Sequence, residues 1–368
     1  MSSRMGQYLQ VQIFGESHGP AIGVTVDGLP AGFTPDLEAL QAFLDRRAAR
    51  SAIATGRRET DRFRIVSGLG PDGCTTGYAL TALFDNADPH SADYAFLPDR
   101  PRPGHADYPA TARSGGHDDL RGGGHHSGRL TLAHAFAGGL AMQFLARQGV
   151  AIAAHVYAIG DTPDAGMIDP VHPDMEALLA CHARPVPTLD ENSGERMHQR
   201  ILEARQQGDS LGGVVECVAD GLPAGLGAPY FDGVESVLAA QLFSIPAVKG
   251  VEFGAGFAAS RMPGSRYNDP YRMEDGQVRT STNYAGGLLG GITSGMPVIV
   301  RAAFRPTPSI SLEQQTVSLS HQANDTLSVR GRHDPCVCVR AVPVVEAAVA
   351  LALLDLWLER RSSMPMEE

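Results

Sequence analysis

Lysine is almost absent from these 368 residues: Lys249 stands alone, and arginine supplies the other 29 of the 30 basic side chains. Arginine keeps its charge at any ordinary pH and offers a planar fork of donors. Cationic sites in this chain are therefore guanidinium sites, and an arginine at one position is weak evidence by itself. Positive charge is also scarce overall, because 41 acidic residues leave a formal charge of −11. That balance excludes nucleic acid or an anionic membrane as a general partner. An anionic ligand would have to be held by local clusters. Arg46, Arg47, Arg50, Arg57 and Arg58 crowd one segment, and Arg100, Arg102, Arg121 and Arg129 another.

Cysteine is sparse too. Cys74, Cys181, Cys217, Cys336 and Cys338 are odd in number and show no metal-ligand spacing, and Cys336-Val-Cys338 lies in an apolar run that reads as strand. The expectation is reduced thiols in a cytosol. No apolar run of leader length stands near Met1, and none is expected to reach the ~18 residues that span a bilayer. The expected location is cytoplasmic. No low-complexity segment and no dividing linker appear, and 43% hydrophobic residues suit one large domain or two medium ones.

What the chain does contain is an internal echo. Asp27-Gly-Leu-Pro-Ala-Gly32 recurs letter for letter as Asp220-Gly-Leu-Pro-Ala-Gly225. Each copy follows an apolar strand-like run, Ala21 to Val26 and Gly213 to Ala219. Each precedes a helix-like segment: Thr34 or Asp36 is placed to cap Leu37 to Arg50, and Asp232 to cap Val234 to Phe243. Gly73-Cys-Thr-Thr-Gly77 and Gly291-Ile-Thr-Ser-Gly295 then lead into further strand-like runs. Two matches in one order suggest duplication of a β-α-β-β unit, about 21–86 and 213–307. Two unrelated turns with shared Gly-Pro chemistry are the alternative.

Two strongly apolar helical segments follow the copies, Leu130 to Gln148 and Val342 to Trp357. Such segments are buried on most sides. Gly160 to Asp190, with five prolines, reads as a loop-rich excursion with one short helix. The expected class is α+β, antiparallel sheets stacked on central helices. One domain over 1–360 with a polar tail, 361–368, is the expected organisation.

Four glycine-punctuated loops carry the chemistry. Phe14-Gly-Glu-Ser-His-Gly19 closes a strand and presents an acid, a hydroxyl and an imidazole together. The others are Arg102-Pro-Gly-His-Ala-Asp-Tyr108, Arg121-Gly-Gly-Gly-His-His-Ser-Gly-Arg129 and Gly331-Arg-His-Asp-Pro-Cys336. Glycine lets backbone approach a ligand closely, and imidazole is the proton donor best matched to neutral pH. In this order the loops resemble those of the chorismate synthases, from about Gly6 to Arg360.

The resemblance implies a single β-α-β sandwich with pseudo-twofold symmetry, assembled as a homotetramer. It implies conversion of 5-enolpyruvylshikimate-3-phosphate to chorismate by 1,4-anti elimination of phosphate and a ring proton, with reduced FMN as cofactor. NADPH stays open as the reductant. His18 matches the histidine that protonates the leaving phosphate, His105 the one proposed to serve the flavin, and Asp334 the acid that helps with the ring proton. Ser17, Arg47, Arg102, Ser127, Arg129 and Arg332 match substrate-binding positions. Flavin contacts are implied for Gly124, His125, His126, Ser127, Pro246, Ala247, Gly290, Arg305, Pro306, Thr307, Pro308, Ser309 and Arg332. His333 reads as structural, and Lys249 as one side of a salt bridge. The chain also departs from its relatives: His125-His126 replaces Arg-Ser, Ile53 an arginine, Pro246 an asparagine and Pro308 a serine.

Two rival readings stand beside this one. His105, His117, His125, His126 and His134 fall within a short stretch, as in a metal-dependent hydrolase, although adjacent His-His diverges on a helix or strand and no HExxH accompanies it. The other rival is a non-catalytic flavin- or anion-binding relative, from which His18, His105 or Asp334 would be expected to be missing.

Overall fold

The computed structural model describes residues 3–48, 53, 61–86, 94–97, 99–329 and 334–363. The first five-stranded antiparallel sheet contains β1 (Ser3–Met5), β2 (Gln10–Gly15), β3 (Ala21–Asp27), β4 (Arg64–Ser67) and β5 (Leu80–Asp85), in the order β1-β2-β3-β5-β4. The second contains β6 (Ala151–Ile159), β7 (Thr162–Pro163), β8 (Gly213–Asp220), β9 (Val248–Phe253) and β14 (Val298–Phe304), in the order β7-β6-β8-β14-β9. Three two-stranded ribbons complete the strands: β10 (Tyr271–Glu274) with β11 (Gln277–Thr280), β12 (Leu288–Leu289) with β13 (Ile292–Thr293), and β15 (Gln314–Ser318) with β16 (Ala323–Leu327).

Among the described residues the helices are α1 (Leu37–Arg47), α2 (Asp107–Ser114), α3 (Thr131–Ala146), α4 (Met175–Ala180), α5 (Glu191–Gln206), α6 (Val234–Ser244), α7 (Gly264–Tyr267) and α8 (Cys338–Ser363). The fold is α+β, with α3 and α8 against each other in the middle.

Alternation explains the first sheet. Val11, Ile22, Val24, Val26, Leu80, Ala82 and Phe84 turn inward onto α3, while Gln12, Thr25 and Thr81 face outward. The second sheet is covered on both faces, apolar toward α8 and mixed on the outer side. Its outer face, with Ala153, Val218 and Ile299, is covered by Ile168, Met175, Leu178 and Leu189 of the 160–190 excursion.

The two Asp-Gly-Leu-Pro-Ala-Gly turns share one hydrogen-bond pattern. Thr75 Oγ1 donates to Pro30 O at 2.6 Å and accepts from Phe33 N at 3.0 Å. Thr293 Oγ1 donates to Pro223 O at 2.7 Å and accepts from Leu226 N at 2.9 Å. Gly28 and Gly221 both have positive φ, and a Cβ on either would lie 2.0 or 2.2 Å from a backbone oxygen. Glycine is required at both.

Three local readings need correction. Asp36 caps α1 through the N–H groups of Glu38 and Ala39, but Asp232 does not cap α6. Gly233 is the cap residue there, and Val234 N donates instead to Gly291 O at 2.9 Å. Cys336 and Cys338 are not in a strand: Cys336 makes one bridge to Leu211 and Cys338 opens α8. Finally, α8 is long and apolar enough by length and composition to cross a membrane, contrary to the expectation that no stretch is. Its most apolar window is 89% buried inside the protein, so its hydrophobicity serves the core.

A ladder of charge crosses the second sheet at matched register: His155 on β6, Glu216 on β8, Arg301 on β14 and Glu252 on β9. His155 lies 3.1 Å from Glu216 and 3.3 Å from Asp164, and Arg301 Nε donates to Glu216 at 2.6 Å. Burial disfavours the imidazolium, but hydrogen bonds to Asp164 and Glu216 outweigh it and raise the His155 pKa above 6.5. A raised histidine contributes stability that is full below its unfolded value and is lost as pH rises through the folded one. The unfolding temperature should therefore decline as pH rises above about 6.5. His155→Gln should remove that component of the decline, and an unchanged profile in the variant would refute the assignment.

Candidate active site

Gly15 ends β2 with φ +93, and a Cβ on it would stand 2.5 Å from Ala21 O. The turn it opens is held by Asn86, whose amide donates to Glu16 O at 3.1 Å and Gly19 O at 2.8 Å. The Ser17 and His18 side chains are thereby tucked inward, at 0% and 8% exposure. The His18 ring stands edge-on to Tyr94, centroids 5.4 Å apart. Ser17 Oγ is buried with no hydrogen-bond partner among the described residues.

The loop opposite is Arg121 to Ser127. Gly122, Gly123 and Gly124 take φ of +62°, +100° and +52°, a run of left-handed backbone that strongly favours glycine. A Cβ on Gly122 would lie 2.3 Å from His18 Nε2, and one on Gly123 3.1 Å from the His105 ring. Ser17 N donates to Gly124 O at 3.1 Å, so His18, His105 and Ser17 converge on one glycine segment. Ser127 caps the turn into α3 by accepting from Arg129 N. His125 Nδ1 faces Gly15 O at 2.8 Å, and its Nε2 meets the Ser3 hydroxyl. Both its ring nitrogens thus have protein partners. His126 faces solvent beside His125 and His105; partial burial and these two imidazoles lower its pKa below 6.5.

Asp107, 2% exposed, organises the Arg102 loop. Its carboxylate accepts from Arg102 N, Nε and Nη2 at 2.8–2.9 Å, and lies 2.7 Å from His105 Nδ1. Burial opposes ionisation, yet the hydrogen bonds from Arg102 and His105 hold this carboxyl far below the usual range. With Nδ1–H turned to Asp107, Nε2 is the ring nitrogen left to accept, and Arg102 Nη2 lies 3.4 Å from it. Arg102 Nη1 also reaches Ser309 Oγ at 3.3 Å, which joins the Arg305 to Ser309 segment to this loop.

Asp61 joins two further arginines. Arg47 Nη2 donates to it at 3.0 Å and Arg129 Nη1 pairs with its other oxygen, all three residues buried. Burial lowers the Arg47 pKa to about 10, with Asp61 opposing and Arg340 and Arg129 adding to the fall. Arg129 Nε donates to Asn86 Oδ1 at 3.1 Å, connecting the triad to the His18 turn. Asp334 enters through Arg340, which pairs with it and donates to Arg47 O at 2.8 Å. Arg332 and His333 lie outside the described residues, as do Arg50, Arg57 and Arg58.

The remaining positions expected to contact a flavin fall in two groups. Ala247, at φ +77, accepts from Arg305 N at 2.9 Å, which sets Pro246 and Ala247 beside Arg305 and Pro306. Thr307 O accepts from Ser210, and a Cβ on Gly104 would touch Pro308 at 3.3 Å. Gly290 stands apart, on the turn between β12 and β13. Lys249 is exposed on β9 and has no ion pair among the described residues, so the expected salt bridge is not seen. No three His, Cys, Asp or Glu side chains among the described residues are grouped to hold a metal.

Residues 9–358 match the family model described as Chorismate synthase. The chain belongs to the chorismate synthase family. It is 46% identical over 357 residues to the chorismate synthase of Thermococcus kodakarensis, covering 97% of this chain and 98% of that one. It is 47% identical over 354 residues to that of Methanosarcina acetivorans, covering 96% and 95%. A solved structure titled Crystal Structure of Chorismate Synthase superposes with a TM-score of 0.75 at 27% identity, covering 97% of this chain and 93% of that one. The chain is therefore an enzyme, a carbon–oxygen lyase of aromatic biosynthesis, and the non-catalytic alternative is not favoured.

Four residues central to this geometry were absent from the sequence-based site: Asp61, Asn86, Asp107 and Arg340. Asp107 sits inside the Arg102 to Tyr108 motif, two residues from His105, and that spacing was the available signal. Asp61 follows the Arg57-Arg58 run, where a carboxylate among cations is a weaker one. Asn86 carries no local signal, because its partners are distant in sequence, and Arg340 carries only its nearness to Asp334, since its other partner, Arg47 O, is 293 residues away.

Proposed function

We propose that the loops around His18, His105, Gly124 and Asp334 form the site where 5-enolpyruvylshikimate-3-phosphate loses phosphate and a ring proton to give chorismate, with reduced FMN as cofactor. The observation that carries this is the convergence of Ser17, His18 and His105 on one positive-φ glycine run, with the Arg102 and Arg47–Asp61–Arg129 clusters joined to it.

The residues present fit a flavin. Thr307 Oγ1 is buried with no partner among the described residues. Arg305 has its pKa lowered by burial, and no carboxylate bridges it among the described residues. Bound there, reduced flavin would supply the electron density that lets an unactivated ring C–H break. Gly124, Ser127, Ala247 and Arg305 to Ser309 would hold it.

The chain's own groups do the rest. His18 gives its proton to the leaving phosphate oxygen. His105, held by Asp107 at Nδ1 and with Arg102 Nη2 3.4 Å from Nε2, moves a proton through Nε2. Asp334, anchored by Arg340, serves the ring proton. Arg47, Arg102 and Arg129 orient the anionic substrate. Neutral His126 leaves Arg305 and backbone N–H groups to meet a phosphate.

We infer further a cytoplasmic homotetramer of one domain, 1–360, with the tail 361–368 beyond it and the repeat units at 21–86 and 213–307. Within these units the strand order β3-β5-β4 of the first sheet matches β8-β14-β9 of the second, which supports the repeat. Tyr230, Phe231 and Phe257, each over 80% exposed, offer apolar surface for assembly.

The test is phosphate release from 5-enolpyruvylshikimate-3-phosphate under anaerobic conditions. Release should require both the chain and reduced FMN. Flavin-independent release, or flavin binding without release, would refute this reading.

A further inference from the structure

Asp61 is a carboxylate placed where an anionic substrate is expected, and it is not a loose one. It is 5% exposed and non-glycine at φ +47. Its backbone carbonyl accepts from Gln41 Nε2 at 3.3 Å, a side chain of α1, and its carboxylate takes Arg47 from the last turn of that helix. The second oxygen takes Arg129 at the entry to α3. A left-handed backbone held from both sides marks a position that its surroundings over-determine.

Two buried guanidiniums repel each other, and Arg340 adds a third charge nearby, as its effect on both Arg47 and Asp61 shows. Without a counter-charge the pair would separate or turn outward to solvent. Asp61 supplies that charge while occupying only one edge of Arg47. Arg47 Nη1 is directed to Thr131 Oγ1 at 3.3 Å, and Nε is buried with no partner among the described residues. A buried donor without an acceptor costs free energy unless a ligand meets it.

We propose that Asp61 is a positioning residue. Its carboxylate preassembles Arg47 and Arg129 as one receptor for a carboxylate or phosphate of the substrate, leaving Arg47 Nε to meet it. This rests on the reading above that Arg47 and Arg129 hold the substrate. A placeholder anion is the opposite idea: Asp61 would compete with substrate, and removing its charge would tighten binding.

Asp61→Asn keeps the shape and removes the charge. KM for 5-enolpyruvylshikimate-3-phosphate should rise 10- to 100-fold, kcat should change by less than about threefold, and the Kd of reduced FMN should stay constant. Asp61→Glu keeps the charge and should restore part of the KM, and it carries the test if Asp61→Asn does not fold. In an Arg47→Ala background, Asp61→Asn should add little. A KM that is unchanged or lowered in the Asp61 variants overturns the proposal. If Arg47→Ala itself leaves KM unchanged, the substrate-site reading fails instead, so the two failures are separable.

Discussion

Replacing His105 or His18 by alanine should lower turnover roughly 10²–10⁴-fold each, the range for loss of a positioned proton donor. The two losses should have different accompaniments. His105 sits on Asp107, and Asp107 also binds three nitrogens of Arg102. Asp107→Asn should therefore lose part of the His105 effect and raise KM as well, because Arg102 is released with it. His18 depends on the Asn86-held turn and the Gly122 backbone, which its own truncation leaves in place. His18→Ala should leave KM and FMN affinity close to wild type. Single-turnover phosphate release with a parallel flavin titration measures both quantities. Variants that turned over like wild type would mean that neither imidazole moves a proton in the slow step.

Gly138→Ala should destabilise the fold by about 3 kcal/mol or more, at the upper end for overpacking. Gly138 lies in α3 where α8 crosses it, and an added Cβ would stand 2.2 Å from Ala347 Cβ and 2.3 Å from its Cα. A flexible side chain could move aside, but here the obstacle is the backbone of the longest helix, which is buried along most of its length. The two central helices would have to separate, and that opens the packing of both sheets on them. Gly264→Ala is the control: it begins α7 with nothing within 4 Å of the new methyl. Chemical denaturation of both should show a large loss for the first and almost none for the second. Equal midpoints would mean that α3 and α8 are not in close contact at Gly138.

Much of this architecture was legible in the chain because it depends on short-range rules. The Asp-Gly-Leu-Pro-Ala-Gly turns need glycine at positive φ and a threonine partner, and both copies show those letters at corresponding places. Asp36 was legible as a cap for the same reason. Asp232 misled because a carbonyl from a distant turn, Gly291 O, took the role that its side chain would have filled. The motif loops announced His18, His105 and the glycine run, since imidazole and glycine are functional by residue type. What they do not announce is the set of counter-charges.

By itself, then, the sequence determined the alternating inner faces, the repeated turns, the apolar central helices and the identity of the proton-moving and anion-binding residue types. Only the tertiary structure decided which carboxylate faces which cation. Asp61 meets Arg47 and Arg129 from 14 and 68 residues away, Asn86 meets Glu16 from 70, and Glu346 meets Arg46 from 300. Local periodicity and turn chemistry act over a few residues, whereas a buried charge must find its partner wherever the chain brings one within about 3 Å.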